Sequence, residues 1–153
     1  MAYIDVLPLA DVKNYIRVDI VEDDADITMM INSAMEYIEK FTGHILYQRN
    51  MDYLLINGCA RVYDYPINDL VSPTTVTGYL KPGYKFYQNT NTTDETLTLD
   101  MGYALASDVP DALLQVAKEM IKVWYFDQDK QIETSLIPNN VMNVLYTYKR
   151  HLI

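Results

Sequence analysis

The sequence predicts an α+β fold: a helix-dominated bundle, with two N-terminal and two C-terminal helices, around a central antiparallel β-rich insertion. Three observations predict it. Apolar residues recur at helical spacing up to Thr42 and again after Ser107. Between Ile45 and Tyr103 the period drops to two, and turn residues crowd the connections. The order is helices, strands, helices, without the strand–helix alternation of a parallel sheet.

Leu9 to Val18 reads as a short helix (about 9–18), with Leu9, Val12, Tyr15 and Ile16 on one side. The acidic run Asp19, Glu22, Asp23, Asp24 and Asp26 separates it from a longer helix over about 24–42. Ile27, Met30, Ile31, Ala34, Tyr37, Ile38 and Phe41 fall within an arc of roughly 120° at helical periodicity. Asn32, Glu36, Glu39 and Lys40 fall opposite. Asp23 or Asp24 is placed to accept N–H bonds at the helix start, and Gly43 to close its end in a left-handed conformation. An EF-hand reading of the acidic run fails, because no glycine lies between Asp19 and Thr42 to make the central turn.

The β-rich segment covers about 45–103. Ile45, Tyr47, Met51, Tyr53 and Leu55 alternate with more polar neighbours. Asn57-Gly58 marks a turn, and Ala60 to Tyr65 resumes an extended run. Pro66 and Pro73 punctuate the next connection. Val76 to Leu80 and Tyr84 to Gln88 flank Lys81-Pro82-Gly83 as a hairpin, and Glu95 to Leu99 alternates again. Four to six short strands are expected here.

Helix returns over about 110–127. Pro110 suits its first turn, where a missing N–H costs nothing. Leu113, Ala117, Met120 and Trp124 form one stripe, flanked by Val116 and Val123 on one side and by Leu114, Ile121 and Tyr125 on the other. A helix apolar around so much of its circumference is either central in the core or covered by another subunit. Leu114, Ile121 and Tyr125 are therefore candidates for a subunit interface. Pro138 opens a last helix, about 139–151, in which Val141, Val144, Leu145, Tyr148 and Leu152 share a face. Met29 falls on the polar side of its helix and Tyr146 lies off the main apolar stripe, which adds both to the interface candidates.

The length of 153 residues suits a single domain, 1–153. Twelve Lys and Arg against 21 Asp and Glu leave a net charge of −9, which argues against the clustered cations of tight nucleic-acid binding. The acidity is concentrated: residues 1–42 hold nine acids and three bases. Fourteen Tyr stand against one Trp and three Phe, and tyrosine, apolar in body and polar at its tip, suits interfaces. The single cysteine, Cys59, excludes a disulfide framework within the chain and a thiolate zinc site. Met1 to Pro8 lacks a basic signal-peptide region, and no uncharged apolar run approaches the ~20 residues that cross a bilayer. A soluble protein made inside the cell is expected. His44 and His151 each lack a metal-spaced partner, and His44, directly after Gly43, suits a surface or capping role. No phosphate-binding glycine loop or nucleophile elbow is present. No catalytic, metal or cofactor residue is nominated.

Leu9-Ala10-Asp11-Val12-Lys13-Asn14-Tyr15-Ile16-Arg17-Val18-Asp19, the acidic turn, and Ile31 to Gly43 ending Glu36-Tyr37-Ile38-Glu39-Lys40-Phe41-Thr42-Gly43 together resemble the opening of head–tail connector (adaptor) proteins of tailed bacteriophages. Val109-Pro110-Asp111-Ala112-Leu113, the aromatic end Trp124-Tyr125, and a final helix opening at Ile137-Pro138 and ending Tyr148-Lys149-Arg150 are similar to the rest of that pattern. The middle segment matches only in kind. The resemblance implies a non-enzymatic virion protein without a cofactor. Members form a ring, commonly of about twelve subunits, beneath the portal. The ring docks a stopper or tail-completion protein and continues the DNA channel, with no sequence-specific DNA binding and no membrane. It implies synthesis in the host cytoplasm and a final place at the head–tail joint. It further implies that helices form the ring body while β loops project toward neighbours or the channel, which singles out Lys81, Tyr84 and Lys85. Lys149 and Arg150 would form a basic end that reaches an acidic portal surface. The alternatives are another head- or tail-completion factor, which would lean toward β-barrel character, and a small acidic enzyme or ligand-binding module. The last requires a pocket with convergent polar groups and shifted pKa values.

Overall fold

The computed structural model describes residues 1–127 and 137–149. Among the described residues, five α-helices build one layer: α1 (Tyr3–Val6), α2 (Leu9–Ile16), α3 (Asp24–Thr42), α4 (Asp111–Phe126) and α5 (Asn139–Tyr148). Six strands build the rest: β1 (Arg49–Leu55), β2 (Cys59–Val62), β3 (Ile67–Ser72), β4 (Val76–Lys81), β5 (Tyr84–Asn89) and β6 (Glu95–Met101). The α+β class and the helix–strand–helix order stand as the periodicities indicate.

Helix α3 buries Ile27, Ile31, Ala34, Met35 and Ile38 on its predicted stripe and the adjoining flank. It also buries Glu39 and Thr42, and this corrects the placement of Glu39 on the polar face. Glu39 lies one turn beyond Met35, on the side where the β half approaches. Helix α4 packs against α2, α3 and α5, which explains its wide apolar surface. Leu113, Val116, Ala117, Met120 and Ile121 are all buried there. Ile121, at 0% exposure, belongs to the chain's own core, so its candidacy as an interface residue is withdrawn. In α5, Val141 and Leu145 are buried. Leu152 and His151 lie outside the described residues.

Two helix ends depart from expectation. α2 stops at Ile16 because Arg17 takes the left-handed conformation (φ 60°), and the Val18 N–H turns back to the Lys13 carbonyl at 3.0 Å. Asp23 occupies the N-cap position of α3 but makes no side-chain bond to the helix N–H groups. Its carboxylate instead accepts the Tyr125 hydroxyl at 2.5 Å, while Asp24 pairs with Lys13 at 2.5 Å.

The strands form two three-stranded antiparallel sheets, ordered β1-β6-β3 and β2-β5-β4. Asn57 (φ 52°) and Gly58 (φ 72°) make the predicted turn with both residues left-handed, as a twisted two-residue hairpin requires. Pro82-Gly83 closes the β4–β5 hairpin, pairing Lys81 with Tyr84. β3 corrects the reading of the proline-bounded stretch as a mere connection. Its register on β6 slips twice, between Ile67 and Asp69 and between Leu70 and Ser72. These irregularities leave exposed pairs of residues in place of the alternation that reveals a strand. Leu55, Val62, Tyr87, Leu97, Leu99 and Met101 fill the core shared by the two sheets.

The halves meet at Ile45-Leu46. Ile45 enters the sheet core and Leu46 the helical core. Backbone bonds tie this crossing: Tyr65 N–H to Gly43 O (2.8 Å), Ile45 N–H to Tyr65 O (2.7 Å) and Tyr103 N–H to Ile45 O (3.2 Å). Gly102 sits beside it at φ 103°, where a Cβ would lie 2.1 Å from the Tyr47 carbonyl oxygen, so only glycine fits.

Candidate functional site

The most concentrated polar chemistry lies at the junction. The Glu39 carboxylate is 7% exposed and receives four hydrogen bonds. The donors are Tyr3 Oη (2.7 Å), Leu46 N (2.7 Å), Arg49 Nη2 (2.6 Å) and Arg49 Nη1 (3.0 Å). The Arg49 guanidinium also lies 4.3 Å from the centre of the Tyr47 ring, which meets Tyr3 edge-on. Burial and the Glu39 carboxylate push the Tyr3 pKa above the ordinary tyrosine range. A carboxylate so fully engaged holds α1 and the start of β1 against α3.

A second cluster surrounds His44. Its Nδ1 lies 2.8 Å from Tyr103 Oη, its ring stacks on Tyr103, and Tyr65 and Tyr148 meet it edge-on. His44 therefore joins the C-terminal end of α3 to α5 and to both flanks of the β half, beyond the simple capping role expected of it. Burial, with Tyr65 and Tyr148 nearby, pushes the Tyr103 pKa up to about 12. Among the described residues, no group of three or more His, Cys, Asp or Glu is placed to hold a metal ion.

Some of the tyrosines and acids pair with one another. Tyr3 donates to Glu39, Tyr15 to Glu119, Tyr53 to Asp64 and Tyr125 to Asp23, each pair joining separate elements. Four of the tyrosines thus serve contacts within the chain. This narrows the expectation that the tyrosines mark subunit boundaries to the exposed Tyr65, Tyr79 and Tyr146.

Two surfaces remain distinctive. The first is the outer face of β2-β5-β4. Ala60, Val62, Tyr87 and Val76 point into the core, so the alternate residues point out. Pairing places Arg61, Phe86 and Tyr79 side by side across the three strands, with Tyr84 and Lys81 in the row nearer the turn. Arg61 lies over the Tyr84 ring at 5.9 Å. Leu54, Ile56 and Cys59 continue the face along a groove of about 590 Å³. The three strands contain no acid, and of their three basic residues Arg61 and Lys81 share this face while Lys85 takes the opposite phase, over the Tyr87 ring. The second surface is the corner where α3 begins. Asp19, Ile20, Val21, Glu22 and Asp26 are exposed there, and Met29 follows at 64% exposure.

Of the sequence candidates, Met29 therefore lies on the acidic corner, and Lys81, Tyr84 and Lys85 on the β4–β5 hairpin. Leu114 is half-buried against the helical core, and Tyr125 is tied to Asp23. Tyr146 is 51% exposed with its ring edge-on to Phe41, and the Lys149 ammonium lies 5.0 Å over the same Phe41 ring. Arg150 lies outside the described residues. Sequence reading missed Arg61, Tyr79 and Phe86. For Arg61 and Tyr79 the signal is present, since each occupies the outward phase of a strand whose inward phase is small or apolar.

No family model matches the sequence, and no curated protein matches it. Solved structures do share the fold. A chain from the neck of an empty GTA particle, computed with C6 symmetry, is 13% identical and covers 97% of this chain and 91% of its own, with a TM-score of 0.75. A chain from the virion of the native gene transfer agent (GTA) particle has the same identity and coverage, with a TM-score of 0.73. A third, from the neck of the native GTA particle computed with C12 symmetry, gives 0.71 at that identity and coverage. The likeness runs through both halves of the molecule, including the sandwich that the sequence matched only in kind.

Proposed function

We propose that this chain is a structural, non-enzymatic subunit of a phage-type virion neck. In this reading, copies close into a ring that joins the portal of the head to a stopper or tail-completion protein and continues the DNA channel. The observation that carries it is the shared fold over 97% of the chain with components of GTA neck structures, determined under sixfold and twelvefold symmetry. The chemistry agrees. A net charge of −9 suits a wall past which DNA must slide, because a wall of cations would bind phosphates and hinder passage. Lys149, exposed at the end of α5, supports a basic contact to an acidic portal surface.

The test is to mix the full chain with the purified portal of its own particle and image the product. Closed rings coaxial with the portal are expected. A strict monomer in the presence of that portal would overturn the reading.

A further inference from the structure

We propose that the outer face of β2-β5-β4 receives the acidic corner at the start of α3 from a second copy of this chain, as the head-to-tail contact of the assembly. The inference rests on the ring reading and specifies its subunit contact.

The two surfaces complement each other in charge and in apolar content. The sheet face offers Arg61 and Lys81 around Tyr79 and Phe86, with Tyr79 at 48% exposure. The corner offers Asp19, Glu22 and Asp26 around Ile20, Val21 and Met29, with Val21 at 71% exposure. An apolar centre with a charged rim of opposite sign is the usual anatomy of a specific contact.

Within one subunit α3 separates the corner from the β half. α3 has 19 residues, hence spans about 28 Å, and runs from the acidic corner to Gly43, where the chain enters the β half. Two different, complementary patches at opposite ends of one chain generate heterologous association, which closes into a ring when the rotation permits. β4 adds a further invitation. Among the described residues it is an edge strand, paired only with β5 and exposed along its length after Val76.

The single native cysteine makes the contact testable by trapping. Cys59 lies on β2, paired with Gln88 beside the Arg61 row. With Glu22→Cys added, a short bismaleimide should convert concentrated protein into a ladder of covalent dimers, trimers and higher species. Adding Cys59→Ser should abolish the ladder. Arg61→Glu with Lys81→Glu should lower its yield at least about tenfold, as expected where like charges face each other. Mixing that variant with a chain carrying Asp19→Lys and Asp26→Lys should restore linked pairs.

A ladder that survives Cys59→Ser, products that stop at dimers, or no product would overturn the proposal. Capture of a labelled oligothymidine by the sheet face, lost in the double Glu variant and unaccompanied by a ladder, would overturn it in favour of nucleic acid. A ladder without rings on the portal keeps the contact and removes the ring. Rings indifferent to the charge reversals keep the ring and remove the contact.

Discussion

Eighteen buried apolar residues make up the helical core among the described residues, against nine between the two sheets. Apolar burial is worth about 25 cal/mol per Å², so the helices hold the larger share of the apolar stabilisation. Among the described residues the β half is thinner and ends in open strand edges, since each sheet has three strands. The difference divides the labour. The helical half supplies the stable body, and the β half spends its outward residues on surface. α4 illustrates the first, with its apolar circumference consumed by three neighbouring helices. β4 illustrates the second, with Tyr79 and Leu80 left exposed in an edge strand.

The strongest way to break this comparison is to cut equal groups from each core. Leu113 and Leu97 are both fully buried, one in α4 and one in β6. Leu113→Ala should cost about 4 kcal/mol and lower the unfolding midpoint of the whole chain in urea. Leu97→Ala should cost about 2–3 kcal/mol, near the lower end of the range for such truncations, because the shallower core relaxes more easily. Hydrogen exchange should then show the strand amides opening while those of α3 and α4 stay protected. Equal losses, or helices that open with the strands, would mean that the halves do not differ in this way.

Glu39→Gln attacks the joint between them. It leaves the Arg49 guanidinium partly buried and without its countercharge, at a cost of about 3 kcal/mol. Circular dichroism should show the helices retained at ambient temperature, and a double-mutant cycle with Arg49→Met should show strong coupling. Additive losses would deny the joint that role.

Alkaline pH supplies a milder probe of the same seam. The folded-state pKa of Tyr103 is pushed up to about 12 from its ordinary 10.0, so folding retains that proton. Its contribution is complete below pH 10 and is lost as pH rises toward about 12, where the unfolded chain ionises first. Tyr3 and Tyr53 shift the same way, through burial and through the Glu39 and Asp64 carboxylates. Urea midpoints should therefore be flat up to pH 10 and fall beyond it. Tyr103→Phe should fall less steeply than the parent chain.

The smallest expected effect lies inside the sandwich. The Tyr87 hydroxyl is buried without a hydrogen-bond partner among the described residues. Tyr87→Phe removes an unpaired polar group and should raise stability by up to about 1 kcal/mol. A loss of comparable size in thermal melts would show that the hydroxyl is satisfied after all.

The long helices were legible because their apolar spacing is set by the 3.6-residue repeat, which packing then only confirms. Ile27, Ile31, Ala34 and Ile38 need no knowledge of a partner to be recognised as one face. β3 was not legible, because its pairing with β6 slips twice and so erases the alternation. The candidate surface was partly legible. The hairpin residues Lys81, Tyr84 and Lys85 stood out beside Pro82-Gly83, whereas Arg61 and Phe86 joined them only through strand pairing across distant parts of the chain.

By itself, then, the sequence determined the helix–strand–helix order, the acidic corner ahead of α3 and the hairpin at Pro82-Gly83, all of which follow from local periodicity, charge and turn chemistry. Only the tertiary structure decided that Glu39 turns inward to Arg49, that Ile121 is core and that the tyrosines hold acids. Those outcomes depend on which groups meet across many residues, and no local rule encodes a meeting. The −9 charge and the 14 tyrosines look like separate oddities in the sequence. In the folded chain four of those tyrosines, Tyr3, Tyr15, Tyr53 and Tyr125, donate to carboxylates, because a phenol is the donor that a half-buried carboxylate needs.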